Sequence, residues 1–182
     1  MTVDPLPSLV DRTLLNLGSG KSYDACAVNV DITADTGPDV VHDLNVVPWP
    51  FSDDRFDHVR AIDVLEHLDD VLAVMNEIHR VCRPGAIVEI ALPHFSAANA
   101  YSDLTHRRAF GYFCFDPLTG ESPHDFYSAK KFGMVRREIA FYHRPANRLV
   151  RYLANRHPLR YEQRWAWMFP AWFITFEMEV QK

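Results

Sequence analysis

Short apolar runs separated by turn residues dominate the first half of the chain. Leu14-Leu15-Asn16-Leu17, Ala27 to Ile32, Val40 to Leu44, Phe56 to Ile62 and Ile87 to Leu92 are such runs. Runs of this length suit buried strands of a parallel sheet covered on both faces. Between the fourth and fifth, Val71, Val74, Met75, Ile78 and Cys82 recur at steps of three and four, with Val81 beside them. That spacing predicts an amphipathic helix. Asp69 or Asp70 can cap its start, Arg80 and Arg83 suit its negative end, and Pro84-Gly85 stops it. After Pro93 the pattern changes. Residues 93–128 are rich in aromatics, His, Pro and Ser and lack a clear period. They read as a long irregular segment over the sheet, with one short helix near Ser102 to Phe110, and segments of this kind often carry function. Lys131 to Tyr142 reads as a strand, Asn147 to Asn155 as a helix and Trp172 to Val180 as a terminal strand. Repeated βαβ units followed by a β-rich end predict an α/β fold with late antiparallel strands.

Size and composition fit one domain over residues 1–182: the chain is 48% apolar and 24% charged. No 18-residue apolar run is present, so no membrane span is expected. The first dozen residues lack a basic start followed by an apolar core, so no secretory leader is expected either. The three cysteines, Cys26, Cys82 and Cys114, form neither a disulfide framework nor a Cys-x-x-Cys pattern. They read as small buried hydrophobes in a reducing compartment, and a cytoplasmic location is expected. The net charge of −5 is unevenly spread: residues 1–100 carry 6 Lys/Arg against 16 Asp/Glu, residues 101–182 carry 13 against 8. A basic second half can meet an anionic substrate or simply be a solvated surface.

The chemistry starts at Gly18-Ser19-Gly20, directly after the first predicted strand. Glycines let backbone approach a ligand and take positive φ. Asp31, near the end of the next strand, can accept both hydroxyls of a ribose. A dinucleotide fits poorly. Position 23 is Tyr rather than a third glycine, and Asp31 follows Gly20 by 11 positions where roughly 20 are expected. A nucleoside ligand without phosphates fits better. Asp43-Leu44 closes the third strand, and Ile62-Asp63-Val64-Leu65-Glu66-His67 turns the fourth into its helix. All of these lie at the carboxyl ends of neighbouring strands, the edge where open α/β sheets bind ligands.

In order, Leu15 to Gly20, Asn29-Val30-Asp31-Ile32, His42-Asp43-Leu44, Phe56-Asp57, Val64 to Leu68 and Ile78 to Gly85 resemble class I S-adenosylmethionine-dependent methyltransferases, and most closely their type 11 group. The resemblance covers about residues 13–94. It implies a Rossmann-like methyltransferase fold: a mostly parallel seven-stranded sheet in the order 3-2-1-4-5-7-6, an antiparallel last strand, and helices on both faces. It implies S-adenosylmethionine as cofactor and S-adenosylhomocysteine as product. Gly18, Ser19 and Gly20 would face the methionine part, Asp31 and Ile32 the ribose, Asp43 and Leu44 the adenine, and Ile62 and Asp63 the sulfonium. The chain departs from the pattern at Asn16, where an acid is usual, and at Ala86, where a second glycine is usual. Few residues precede the first strand, so the segment after Pro93 is expected to cover the acceptor.

The acceptor side is read from histidines. An oxygen acceptor must lose a proton, and His is the commonest base near neutral pH. His94, after the fifth strand, is the first candidate. His106 is the second, with Asp103 three residues earlier to orient it on one helical face. His67, Tyr101 and Arg107 are candidate acceptor contacts. His94, Asp103, His106 and His124 match no known metal-ligand spacing, so no metal is expected. The expected activity is methyl transfer to a small-molecule acceptor, an oxygen of a sugar or other metabolite. The competing readings are a catalytically silent cofactor-binding or assembly module, a nucleic-acid methyltransferase, and an NAD-dependent enzyme. The short crossover argues against the last. The absence of an Asn-Pro-Pro-Tyr tetrapeptide after strand four argues against amine methylation of nucleic acid.

Overall fold

The computed structural model describes residues 9, 11–121, 131–142 and 147–182. Seven strands form one sheet: β1 (Leu14–Leu17), β2 (Ala27–Asp31), β3 (Val40–Val41), β4 (Phe56–Ile62), β5 (Cys82–Pro93), β6 (Phe132–Ala140) and β7 (Phe173–Val180). Their spatial order is β3-β2-β1-β4-β5-β7-β6, as the resemblance implies. β1 to β5 pair in parallel, while β7 lies antiparallel between β5 and β6.

The register explains the sequence pattern. Leu15 lies beside Val28 and Val59, Val59 beside Val88, and Val88 beside Met178. All five are completely buried and join one apolar core. On the alternate positions β4, β5 and β7 carry His58, Arg60, Glu89 and Glu177, which are only partly buried. There Arg60 bridges Asp24 (3.1 Å) and Glu89 (3.5 Å). β4, β5 and β7 therefore read as alternating strands, apolar toward one face and charged toward the other.

The helix α1 (Val71–Val81) follows its predicted bounds. Asp70 is the cap: its Oδ1 accepts from Ala73 N at 3.0 Å. Val74, Met75, Ile78 and Val81 are buried in the core. Glu77 is buried too. Its Oε1 accepts from Trp49 N (2.8 Å) and from Arg80 Nε (2.9 Å), tying the helix to the segment before β4. Glu77→Ala strands a buried amide and a half-buried guanidinium. It is expected to lower stability by about 2–3 kcal/mol, read as a lower urea midpoint at unchanged slope.

Several expectations differ from the structure. β5 starts at Cys82, taking in the residues expected to end the helix and form the turn, and Cys26 is exposed rather than buried. β3 stops at Val41 rather than Leu44, because Asp43 turns the chain: its Oδ1 accepts from both Asn45 N (2.9 Å) and Asn45 Nδ2 (3.0 Å). The helix expected over 102–110 is absent. The segment instead holds α2 (Asn99–Ser102) and α3 (Asp116–Thr119) around an extended stretch. The reason is competition for backbone groups. Asp103 Oδ1 accepts from Thr105 N (2.8 Å), Arg107 N donates to Glu66 O (2.8 Å), and Phe110 O accepts from Phe95 N (2.8 Å). Residues 122–128 of that predicted segment lie outside the described residues. Finally, α4 (Asn147–Arg156) is followed by α5 (Pro158–Arg164), which periodicity did not announce. Asn155 docks α4 on β6, bonding both N (2.8 Å) and O (2.9 Å) of Ile139. No helix among the described residues is long and apolar enough to cross a membrane.

Candidate cofactor and acceptor site

At the carboxyl ends of β1, β2 and β4 lies a cleft of about 440 Å³. Gly18, Asp31, Ile32, Asp43, Leu44 and Asp63 line it, six of the nine expected cofactor residues. His67 and Arg107, expected at the acceptor, line it too. His42, Asn45, Val64, Leu68 and Asp69 complete the wall, and the sequence reading assigned none of them a ligand contact.

The local folding of this edge follows from a few residues. Gly18 has φ +57°, and a Cβ there would meet Val64 Cγ2 at 2.4 Å. The turn is thus packed against the residue that follows Asp63. Gly20 N donates to Asp31 Oδ2 (2.7 Å) and Thr33 N to Asp31 Oδ1 (3.1 Å), which fixes the carboxylate beside the turn. A carboxylate oxygen has a second lone pair, so both oxygens can still accept a ligand hydroxyl. Ser19 and Gly20 belong to the turn but do not line the cleft. Asn16, where an acid is usual, donates through Nδ2 to Ser22 O (3.0 Å) and to Asn29 Oδ1 (3.0 Å). An amide here supports the turn by donation. Ile62 sends its side chain elsewhere: it lines a separate hollow with Glu89, Ala91 and Arg136.

Asp63 holds a left-handed backbone (φ +54°), which for a residue with a Cβ costs on the order of 1 kcal/mol. Such strain, anchored by Asp63 N donating to Ala91 O (3.0 Å), is common where a side chain is aimed at a ligand. Burial pushes the Asp63 carboxyl above its ordinary range. Glu66, three residues on, is only 1% exposed, and neither carboxylate oxygen has a hydrogen-bond partner. Burial, followed by the charge of Asp63, pushes its carboxyl up to about 7. His67 is held below its usual value, first by burial and then by His106, whose ring lies 4.7 Å away edge to face.

The expected catalytic residues are distributed differently from the sequence reading. His94 does not line the cleft and is fully buried. Ser96 N donates to its Nδ1 (3.2 Å), so Nε2 carries the proton and donates to Glu162 Oε1 (3.2 Å). Both ring nitrogens are thus committed to holding Ser96 and Glu162. Asp103 does not orient His106. Thr105 Oγ1 donates to Asp103 Oδ1 (2.6 Å) and in turn accepts from His67 Nδ1 (2.8 Å). His106 Nδ1 instead donates to Ala100 O (3.2 Å). Arg107 donates through Nε to His67 O (3.1 Å) and pairs with Asp69, closing the segment onto the cleft. Tyr101 is 61% exposed and outside the lining. His124 lies outside the described residues.

The glycine turn and the acids Asp31, Asp43 and Asp63 stand at neighbouring strand ends of a seven-stranded sheet in the order of the Rossmann-like methyltransferase fold. Residues 15–90 match the sequence family described as a methyltransferase domain. Among solved structures, the chain is similar to an S-adenosylmethionine-dependent methyltransferase from Archaeoglobus fulgidus, at 16% identity and a TM-score of 0.64 over 95% of this chain and 88% of that one. It is also similar to a Haloferax volcanii protein solved in complex with the Trm112 methyltransferase activator (14%, TM-score 0.58, 93% and 82%). A third is the [4+2]-cyclase SpnF (16%, TM-score 0.54, 92% and 75%). No curated protein matches the chain by sequence.

Proposed function

We propose that the chain transfers the methyl group of S-adenosylmethionine to an oxygen of a small-molecule acceptor, a sugar or other metabolite hydroxyl. The observation that carries this reading is the wall of the cleft made by Asp63 and His67, with His106 and Glu66 directly behind it. Methyl transfer needs an acceptor held in line with a sulfonium carbon and relieved of its proton. This wall supplies the proton-accepting groups, and Arg107 closes over it. The proposed site therefore keeps His106, His67, Asp63 and Arg107. It keeps Asp103 as a positioning residue for His67, and it moves His94 to a supporting role under the lid segment. One fold hosts different activities, and one neighbour in fold is a [4+2]-cyclase, so the silent cofactor-binding module is the reading to test against.

Calorimetry with S-adenosylmethionine, S-adenosylhomocysteine and NAD, followed by transfer of labelled methyl to a metabolite extract, separates the two. The proposal expects both adenosyl ligands to bind, NAD not to bind, and label to enter a small-molecule fraction. His67→Ala and His106→Ala should each cut label transfer by about 10²-fold or more while cofactor affinity changes little. Binding with no label transferred to any fraction would leave the silent module standing instead.

A further inference from the structure

We propose that Glu66, His67 and His106 form a binding site for a divalent transition-metal cation at the inner end of the cleft, where it would hold and activate the acceptor oxygen. The activation part rests on the methyl-transfer reading; the cation site does not. One ligand atom from each of the three residues lies within 4.8 Å of the other two. Tetrahedral bonds of about 2.0–2.1 Å would bring such atoms to about 3.3 Å of one another, a short closing movement of side chains. Two imidazoles and a carboxylate are the donor set that suits zinc, manganese, iron or cobalt, and one that leaves positions open for a substrate.

Three independent features point to a ligand. First, Glu66 is 1% exposed, and no donor from the rest of the chain reaches its oxygens, which face only the neighbouring Asp63 carboxyl. Second, the tautomer of each imidazole is set from behind. The Thr105 hydroxyl spends its proton on Asp103, so it can only accept from His67 Nδ1–H. The Ala100 carbonyl can only accept from His106 Nδ1–H. In both rings Nε2 is left with a free lone pair, backed by a hydroxyl–carboxylate relay in one case and a carbonyl in the other. That is the outer-shell arrangement of metal-ligating histidines. Third, the two chain segments are stitched together at this point, by Arg107 N on Glu66 O (2.8 Å) and Arg107 Nε on His67 O (3.1 Å). The cluster adjoins the cofactor cleft through Asp63 and His67, which line it.

The chemistry balances simply. A hydroxyl coordinated here gives up its proton more readily. That proton passes to the Asp63 carboxylate and on to solvent. The oxygen forms a bond to the methyl carbon as the carbon–sulfur bond breaks, and sulfur keeps the electron pair as the thioether of S-adenosylhomocysteine. Acceptors with two adjacent oxygens, which can chelate, are the substrate class this arrangement favours.

The test is a titration of Co²⁺ into the full, chelator-treated chain with no cofactor present, followed by calorimetry and by visible absorption. One equivalent should bind, with the absorption of a nitrogen- and oxygen-ligated ion. Glu66→Gln, which keeps the side-chain shape, and His106→Ala should each weaken binding by at least about tenfold, and Thr105→Val should weaken it through His67. His157→Ala, at the start of α5 and outside the cluster, should leave it unchanged. Binding that persists in Glu66→Gln and His106→Ala, or no binding to the wild-type chain, overturns the site. Should Glu66→Gln fail to fold, His106→Ala decides alone. Cofactor affinity is measured separately: cation binding without adenosyl binding would sink the methyl-transfer reading and leave the cation site intact.

Discussion

Asp31→Ala is expected to weaken S-adenosylmethionine binding by about 10²-fold, with S-adenosylhomocysteine affected equally. The carboxylate is 9% exposed and sits on the cleft wall, its two oxygens already held by Gly20 N and Thr33 N. Two ribose hydroxyls would each donate to one of these oxygens, and a hydrogen bond to a charged group contributes about 1.5–3 kcal/mol. Losing two of them at the lower limit removes about 3 kcal/mol, which is roughly two decades of affinity. The alanine also releases the Gly20 amide, so the turn loses its hold from the second strand. Asp31→Asn separates the effects. It keeps an acceptor for the turn but loses the charge, and its affinity should fall between wild type and alanine. Equal affinity for all three proteins in calorimetry would show that the ribose lies elsewhere. The product bears the same ribose, so a loss confined to the methyl donor would place Asp31 near the sulfonium instead.

The contrast between this residue and His94 shows how far local sequence reaches. Gly18, Asp31, Asp43 and Asp63 were legible because each owes its place to strand ends and turns built from its own neighbours. The strand order came only from the family resemblance that these motifs carry. His94 follows β5 on the expected edge, yet Glu162, 68 positions away, and Ser96 enclose it. Nothing adjacent to His94 announces either partner. Asp103 and His106 have helical spacing, but the backbone groups a helix would need are taken by Glu66 and Phe95. The side-chain relay therefore runs to His67 instead. Glu66 was visible as part of the switch after β4, but its burial away from any donor exists only once the segment after Pro93 has closed over it. Periodicity also failed for α5, a helix of seven residues opened by Pro158, too short to repeat an apolar stripe. Composition was a fair guide to the core and silent about the charged sheet face, where Arg60, Glu89 and Asp24 satisfy one another across three segments.

Gly18→Ala is expected to produce the largest loss of stability of any single substitution at the cleft, and to abolish measurable cofactor binding with it. Two costs add. A left-handed backbone with a Cβ costs about 1–2 kcal/mol, and Gly18 holds φ +57°. The new Cβ would also stand 2.4 Å from Val64 Cγ2 and 3.2 Å from Cγ1. Val64 is 6% exposed within the core, so it has little room to retreat, and overpacking of that kind costs about 1–3 kcal/mol more. The total, about 2–5 kcal/mol, is a large share of a domain's stability. Gly20 provides the comparison. It too has positive φ, +48°, but its nearest neighbour for a Cβ is a backbone oxygen at 4.0 Å. Gly20→Ala should therefore show the backbone cost alone. Adding Val64→Ala to Gly18→Ala removes the clash and leaves the φ cost, at the expense of a small cavity. Urea midpoints should order wild type, then Gly20→Ala, then Gly18→Ala, with the Gly18→Ala/Val64→Ala pair falling less than the sum of its two single changes. Strict additivity in that cycle would mean that Gly18 and Val64 are not in contact. The packing of the first turn against the residue after Asp63, on which the joining of the Asp31 and Asp63 ends of the cleft depends, would then be wrong.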